Sequence, residues 1–307
     1  MGQPFSRRDL IRLGLLAGAG IQLADAGETL TRKTIPSSGE TIPVVGLGTN
    51  AYGVSDAGEL EARRAVLKRM SEVGASVVDT APAYGDSEKV LGEFLTQLGI
   101  HDRMFLATKI TAAEGERDPG KAMFEASLER LLTGRIDLLQ VHSLKGVDPL
   151  MPVLKEWKAA KRIRYLGVTT SRGEQHEELL ATMARHPLDF IQVNYSIGDR
   201  AAAAKILPLA AERGVAVLLN LPFGGRRGSL FAQTNGRALP AFAAELGIAS
   251  WGQFFLKYVI SHPAVTCAIP GTTKISHLDD NLGAARGALP DAALRKKMEA
   301  TWDALAS

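Results

Sequence analysis

What this 307-residue chain lacks narrows its function first. It has one cysteine, Cys267, so an intramolecular disulfide and a cysteine-based zinc cluster are excluded. That cysteine lies in the apolar run Val265-Thr266-Cys267-Ala268-Ile269 and reads as a packed small hydrophobe rather than a nucleophile. Charge of one sign is also missing. Lys+Arg is 36 and Asp+Glu is 33, a net charge of only +3, so nothing draws the chain onto nucleic acid. No two histidines stand at metal-ligand spacing, and His101, His176, His186, His262 and His277 are scattered over loops and helices, so no metal site is expected. Hydrophobic residues are 46% and charged residues 22%, ordinary globular usage that rules out disorder as the main state.

The N-terminus reads as an address. Ser6-Arg7-Arg8-Asp9-Leu10 precedes a short Gly-rich apolar stretch, and Ala24-Asp25-Ala26 follows as a small-x-small cleavage site. The paired arginines resemble the twin-arginine export signal, with Leu10 where that signal usually has Phe. The stretch is too short and too Gly-rich for a stable membrane span. Residues 1–26 are therefore expected to be a signal peptide handled by the twin-arginine export machinery, with a periplasmic or exported product. If the signal is unused, residues 1–26 form an amphipathic first helix and the protein stays cytoplasmic. Without them the chain loses three arginines and two aspartates and stays nearly neutral.

Along residues 27–307, eight short apolar runs recur, at 44–47, 76–78, 104–107, 136–141, 165–168, 190–193, 216–219 and 266–269. None alternates strictly, which suits strands buried on both faces of a parallel sheet. Helical stripes separate them: Val90, Leu91, Phe94, Leu95 and Leu98; Leu150, Val153, Leu154 and Trp157; Ile206, Leu209 and Ala210 before Arg213-Gly214. Eight strand–helix alternations predict a single α/β domain, a (β/α)8 TIM barrel. Residues 31–44, with Ser37-Ser38-Gly39 in the middle, predict an N-terminal β-hairpin ahead of it. A doubly wound sheet is the other arrangement. Its Gly-rich turn would fall on Val45-Gly46-Leu47-Gly48-Thr49-Asn50-Ala51, which lacks the third glycine.

Barrel active sites lie at the carboxyl ends of the strands. Here those ends carry Asp79, Lys109 and His142 on consecutive strands. Each alone could be structural: a turn cap, a solvated terminus, a satisfied histidine. Together at one mouth they make a constellation. Tyr84, on the loop Ala81-Pro82-Ala83-Tyr84-Gly85, completes it. An ammonium near a phenol favours phenolate and lowers its pKa from near 10, and a carboxylate fixes the ammonium. Tyr84 could then protonate a carbonyl oxygen while hydride reaches carbon, with His142 orienting that oxygen.

These residues resemble the aldo/keto reductase family over about residues 30–290. The Asp-to-Tyr spacing of five and the Lys-to-His spacing of 33 match its tetrad, as do Gly46-Leu47-Gly48-Thr49 and Tyr84-Gly85-Asp86-Ser87-Glu88 with Gly92. The resemblance implies NAD(P)H-dependent reduction of a small-molecule aldehyde or ketone, with Tyr84 as general acid. It implies further cofactor contacts. Gln192 matches the glutamine that holds the nicotinamide carboxamide. Its Ser-Asn partners fall on Thr169 and Thr170, and the stacking tyrosine falls on Asn220. Pro222, Phe223, Gly224 and Arg226 match the diphosphate-covering loop. The segment that grips the NADP 2′-phosphate falls on Gly271, Thr272 and Lys274, with His277 in place of an arginine, and with Asn281. Lysine is absent at Gly271, and NADP(H) is favoured over NAD(H) on family habit. Asn50 replaces the entrance aromatic. The substrate pocket, at Asn50 and Tyr52 with Phe223 nearby, is therefore expected to be more polar than that of aromatic-carbonyl reductases. Two other functions fit the altered contacts: a nucleotide-binding sensor that does not turn over, and a lyase or isomerase that needs no nucleotide.

Overall fold

The computed structural model describes residues 29–113, 118, 120–225 and 228–306. The twin-arginine segment, 1–26, and Arg226 lie outside them. The first element among the described residues is the hairpin of β1 (Arg32–Thr34) and β2 (Thr41–Pro43), antiparallel with Lys33 opposite Ile42. Eight parallel strands follow: β3 (Leu47–Gly48), β4 (Val77–Asp79), β5 (Phe105–Ile110), β6 (Ile136–Val141), β7 (Ile163–Thr169), β8 (Phe190–Asn194), β9 (Ala216–Asn220) and, after a small hairpin of β10 (Gly224–Gly225) and β11 (Gly228–Ser229), β12 (Cys267–Ala268). They pair in chain order from β3 to β9 and then β12. Bridges from Val45 to Ala268 and from Gly48 to Gly271 close the circle, with Gly46 N–H donating to Ala268 O at 2.8 Å. The sheet is the (β/α)8 barrel that the sequence predicts.

All eight apolar runs contain or touch a strand. The first and last regular ladders are only two residues long, because their seam is made by isolated bridges rather than continuous pairing. The helices form the outer ring: α1 (Ala57–Glu72), α2 (Ser87–Leu98), α3 (Lys121–Leu131), α4 (Val147–Ala159), α5 (His176–Arg185), α6 (Ala202–Glu212), the short α7 (Phe231–Thr234), α8 (Trp251–Ile260), α9 (Ile275–Gly283) and the C-terminal α10 (Ala292–Ala306). The three apolar stripes fall on α2, α4 and α6. Asp56 caps α1 by accepting from Glu59 N–H at 2.9 Å, and Gly99 ends α2 in the left-handed region at φ 64.

Strand side chains alternate, and this sorts two apolar clusters. Val78, Leu106, Leu139, Leu166, Ile191 and Val217 point outward and pack under the helices. Val77, Phe105, Leu138, Tyr165, Phe190 and Leu218 point inward and fill the barrel. Cys267 is among the inward residues and fully buried, as a packed thiol should be. The hairpin closes the bottom by inserting Ile35 and Ile42 into this cluster. It is pinned there by Tyr165 Oη, which donates to Glu40 at 2.6 Å, and by Lys33 Nζ, which donates to the carbonyls of Ile260, His262 and Val265 at 2.7–2.8 Å. A plugged bottom leaves the carboxyl ends of the strands as the open mouth. Among the described residues no helix is long and apolar enough to cross a membrane.

Candidate active site

The inward period continues upward and changes chemistry at its last step. Above Val77 comes Asp79; above Phe105 and Ala107 comes Lys109; above Leu138 comes Gln140, then His142. Thr169 and Asn220 end β7 and β9 the same way, and Gln192 stands on the inward register of β8, two residues before its end at Asn194. The ladder places Lys109 directly opposite Gln140 and Asp79 opposite Ala107. Asp79, Lys109 and Gln140 are almost wholly buried, at 2%, 1% and 0% exposure. Burying such groups is costly unless they are paired. Lys109 Nζ donates to Asp79 Oδ2 and to Thr80 O, both at 2.7 Å. The amides of Gln140 and Gln192 reach the two carboxylate oxygens at 3.5 Å.

Tyr84 comes from the loop between β4 and α2. Its N–H donates to Ala81 O at 3.0 Å, and Gly53 passes so close beneath that a Cβ there would meet Tyr84 O. The motif that follows is an anchor. Ser87 Oγ donates to Thr49 O at 2.8 Å. Glu88, fully buried, accepts from Thr108 Oγ1 at 2.5 Å and from Arg130 at 2.6 and 2.8 Å. Gly92 lets α2 approach α3 where any side chain would strike the Arg130 carbonyl. The loop is thus fixed from both sides, and Tyr84 is held over the Lys109 ammonium, 5.0 Å from its ring centre. His142 faces the Tyr84 ring edge-on, with centroids 6.1 Å apart.

Burial sets the proton affinities. The Tyr84 phenol is raised above its usual range, because desolvation outweighs the pull of Lys109. This reverses the direction expected from the neighbouring ammonium alone: a pocket wall that removes water penalises phenolate more than one ammonium favours it. Burial likewise pushes the Asp79 carboxyl up against the pull of Lys109. Lys109 itself is raised: burial works against its charge, but Asp79 and Tyr84 together prevail. His142 is lowered to about 4 by burial, then by Lys109 and Lys145, so the imidazole is neutral near pH 7. The site therefore holds a protonated phenol, a charged amine and a neutral histidine around one opening.

That opening is a cavity of about 410 Å³. All four of Asp79, Tyr84, Lys109 and His142 line it. So do Asn50, Thr169, Thr170, Gln192 and Asn220, together with Pro222, Phe223, Gly224 and Gly271. Tyr52 does not. It is fully buried in the core, and only its neighbour Asn50 reaches the wall. The turn in which Tyr52 N–H donates to Thr49 O directs Tyr52 inward. Thr272, Lys274, His277 and Asn281 lie beyond the cavity edge: Lys274 stands at the N-cap position of α9 without a side-chain cap bond, His277 is exposed and Asn281 buried on that helix, and Thr272 is buried just before it. Two further residues were not singled out from sequence as site residues: Gln140, buried against Asp79 beneath the cavity, and Ser143, in the cavity wall. Gln140 stands two residues before His142, on the inward register. Ser143 extends the mouth just after it.

Comparison with known proteins places this geometry. The aldo/keto reductase family model matches residues 44–300. An aldo-keto reductase of Strobilurus tenacellus is 30% identical over 293 residues, covering 81% of this chain and 84% of its own. A methylglyoxal reductase of Escherichia coli is 30% identical over 260 residues, covering 82% and 89%. A crystal structure of a Klebsiella pneumoniae aldo/keto reductase in complex with NADP and acetate superposes with a TM-score of 0.71 at 24% identity, covering 89% of this chain and 96% of that one. With the barrel and its four converging side chains in place, the family match over most of the sequence identifies the chain as a member of the aldo/keto reductase family.

Proposed function

We propose that this protein reduces an aldehyde or ketone to an alcohol with a nicotinamide cofactor, NADP(H) favoured over NAD(H). The observation that carries the reading is the buried Asp79–Lys109 pair, 2.7 Å apart, beneath Tyr84 and beside His142 in a single cavity. The wall suits the cofactor. Gln192 Oε1 and Asn220 Oδ1 are buried acceptors with no partner, fitted to an amide donor such as a carboxamide. Gln192, Thr169 and Thr170 would hold that end, with Asn220 beside the ring. Pro222, Phe223, Gly224 and Arg226 would cover the diphosphate. Gly271, Thr272, Lys274, His277 and Asn281 would take the phosphorylated ribose and adenine. The NADP in the Klebsiella structure supports this assignment.

The bound cofactor would supply hydride to the carbonyl carbon. Tyr84 Oη supplies the proton to the carbonyl oxygen, and its raised pKa keeps that proton in place at neutral pH. The neutral His142 ring donates a hydrogen bond that aims the oxygen at Tyr84. Lys109 stabilises the phenolate left behind, and Asp79 fixes the ammonium where it can do so. Asn50 and Ser143 in the wall favour a small polar carbonyl over a large aromatic one, in line with a relative named for methylglyoxal reduction.

The test follows NADPH and NADH absorbance with the full chain and a panel of small aldehydes, beside Tyr84→Phe. Carbonyl-dependent oxidation that Tyr84→Phe abolishes supports the reductase. Nucleotide that binds and never turns over would replace it with a sensor, and no nucleotide binding at all would favour a non-redox lyase or isomerase. We also propose export through the twin-arginine route. Replacing Arg7 and Arg8 by lysine should retain the protein in the cytoplasm, and unchanged distribution would end that idea.

A further inference from the structure

The backbone just after His142 is left-handed at two successive residues that are not glycine. Ser143 has φ 54 and Leu144 has φ 58. In that region a Cβ crowds the following carbonyl, so such residues persist only where the surroundings hold them. Relaxation to negative φ would swing the peptide that joins Ser143 to His142 and turn the imidazole away from Tyr84. Three hydrogen bonds oppose this. Ser143 N–H donates to Thr169 Oγ1 at 3.2 Å, Lys145 N–H donates to His142 O at 3.1 Å, and Gln175 Nε2 donates to Ser143 O at 3.0 Å.

Gln175 is not in the cavity wall. It ends a 3₁₀ turn (Gly173–Gln175) between β7 and α5, and its own carbonyl oxygen is fixed by Thr170 Oγ1 at 2.7 Å. The Thr170 carbonyl in turn accepts from Asn220 Nδ2 at 2.9 Å. A chain of polar groups thus crosses the mouth from the end of β9 to the turn after β6, with Gln175 as its last link. Thr170 and Asn220 line the cavity, whereas the Gln175 side chain hydrogen-bonds Thr170 and the backbone of Ser143 from outside it.

We propose that Gln175 is a positioning residue that locks Ser143 in its left-handed conformation and so keeps His142 aimed at the carbonyl oxygen. The catalytic half of this proposal rests on the reading of His142 given above. At Ser143 the brace is needed because residue 143 carries a side chain. Glycine adopts the same φ without crowding, so Ser143→Gly should make Gln175 dispensable.

The experiment compares wild type, Gln175→Leu, Ser143→Gly and the double variant. Gln175→Leu should lower kcat about ten- to a hundredfold, the scale of a misplaced catalytic group, while the Kd for nucleotide stays within about twofold. The double variant should return to within about threefold of Ser143→Gly. A merely structural contact would not be rescued by that glycine. Gln175→Glu, which keeps length but sets a carboxylate against the Ser143 carbonyl, should lose turnover similarly and serves if the leucine variant does not fold. Amide hydrogen exchange supplies a readout apart from activity: residues 143–145 should exchange at least about tenfold faster in Gln175→Leu. Unchanged kcat in an active enzyme, an unrescued double variant, or unchanged exchange would each overturn the proposal. Absence of turnover in wild type alongside faster exchange would instead overturn the functional reading and leave the brace standing.

Discussion

The lower and upper halves of the barrel interior are built by the same strands and have opposite chemistry. Below, Phe105, Tyr165 and Phe190 pack ring against ring at 5.5–6.0 Å, sealed by Ile35 and Ile42 of the hairpin. Above, one inward step or two further along each strand, stand Asp79, Lys109, Gln140 and Gln192. Apolar burial in the lower half stabilises the fold at roughly 1.5–3 kcal/mol per large side chain. The upper half buries an ion pair, whose desolvation offsets most of its Coulombic attraction. Stability does not explain its presence; the proton transfer proposed above would.

The sharpest break of that comparison is Tyr84→Phe. Removal of one hydroxyl should reduce kcat by about 10²–10⁴ and leave the thermal midpoint almost unchanged. Steady-state kinetics beside a melting curve checks both; a variant that keeps its turnover would remove Tyr84 from the chemistry.

Next come two variants of similar cost and different meaning. Lys109→Met strands the Asp79 carboxylate in the core and should destabilise by about 3–5 kcal/mol while abolishing turnover. Phe190→Ala empties the lower layer and should destabilise by about 3–5 kcal/mol, yet keep kcat per folded molecule within a few-fold. Denaturant titration and kinetics on the same samples separate them. Equal losses of activity would mean that the two halves do not divide labour. Adding Asp79→Asn to Lys109→Met should recover part of the stability and none of the activity.

The smallest effect is on pH dependence. His142 is lowered from 6.5 to about 4 by burial and then by Lys109 and Lys145. His262 is lowered to about 4 by burial and then by Arg295 and Lys33. Between pH 4 and 6.5 the folded chain therefore binds fewer of these protons than the unfolded chain, and stability falls as pH drops through that window. Melting temperatures from pH 7 to 4.5 should decline less steeply in His262→Gln. The imidazole signals of His142 should show no titration above pH 5.5; a midpoint near 6.5 would mean the ring is solvated and could not act as a neutral donor.

The two halves were not equally legible in the sequence. The hairpin, the eight strands and three helical stripes could be read because their hydrophobic spacing is local. The tetrad could be read because barrel topology brings the carboxyl ends of consecutive strands to one face, so Asp79, Lys109 and His142 need only be recognised as last inward residues. Gln140 obeys the same period and could have been found by counting back two from His142. Tyr52 misled because its place two residues after Asn50 says nothing about the turn that sends it into the core. Gln175 carried no signal at all: its role depends on a φ value at Ser143, thirty-two positions away.

By itself, then, the sequence determined the layer of each side chain along each strand, and with it a plugged bottom and a polar mouth, because period-two alternation is a property of adjacent residues. Only the tertiary structure decided which protons those polar groups keep. The Tyr84 phenol is raised rather than lowered because a surrounding wall, drawn from six barrel strands and several loops, removes the water that would have solvated its anion.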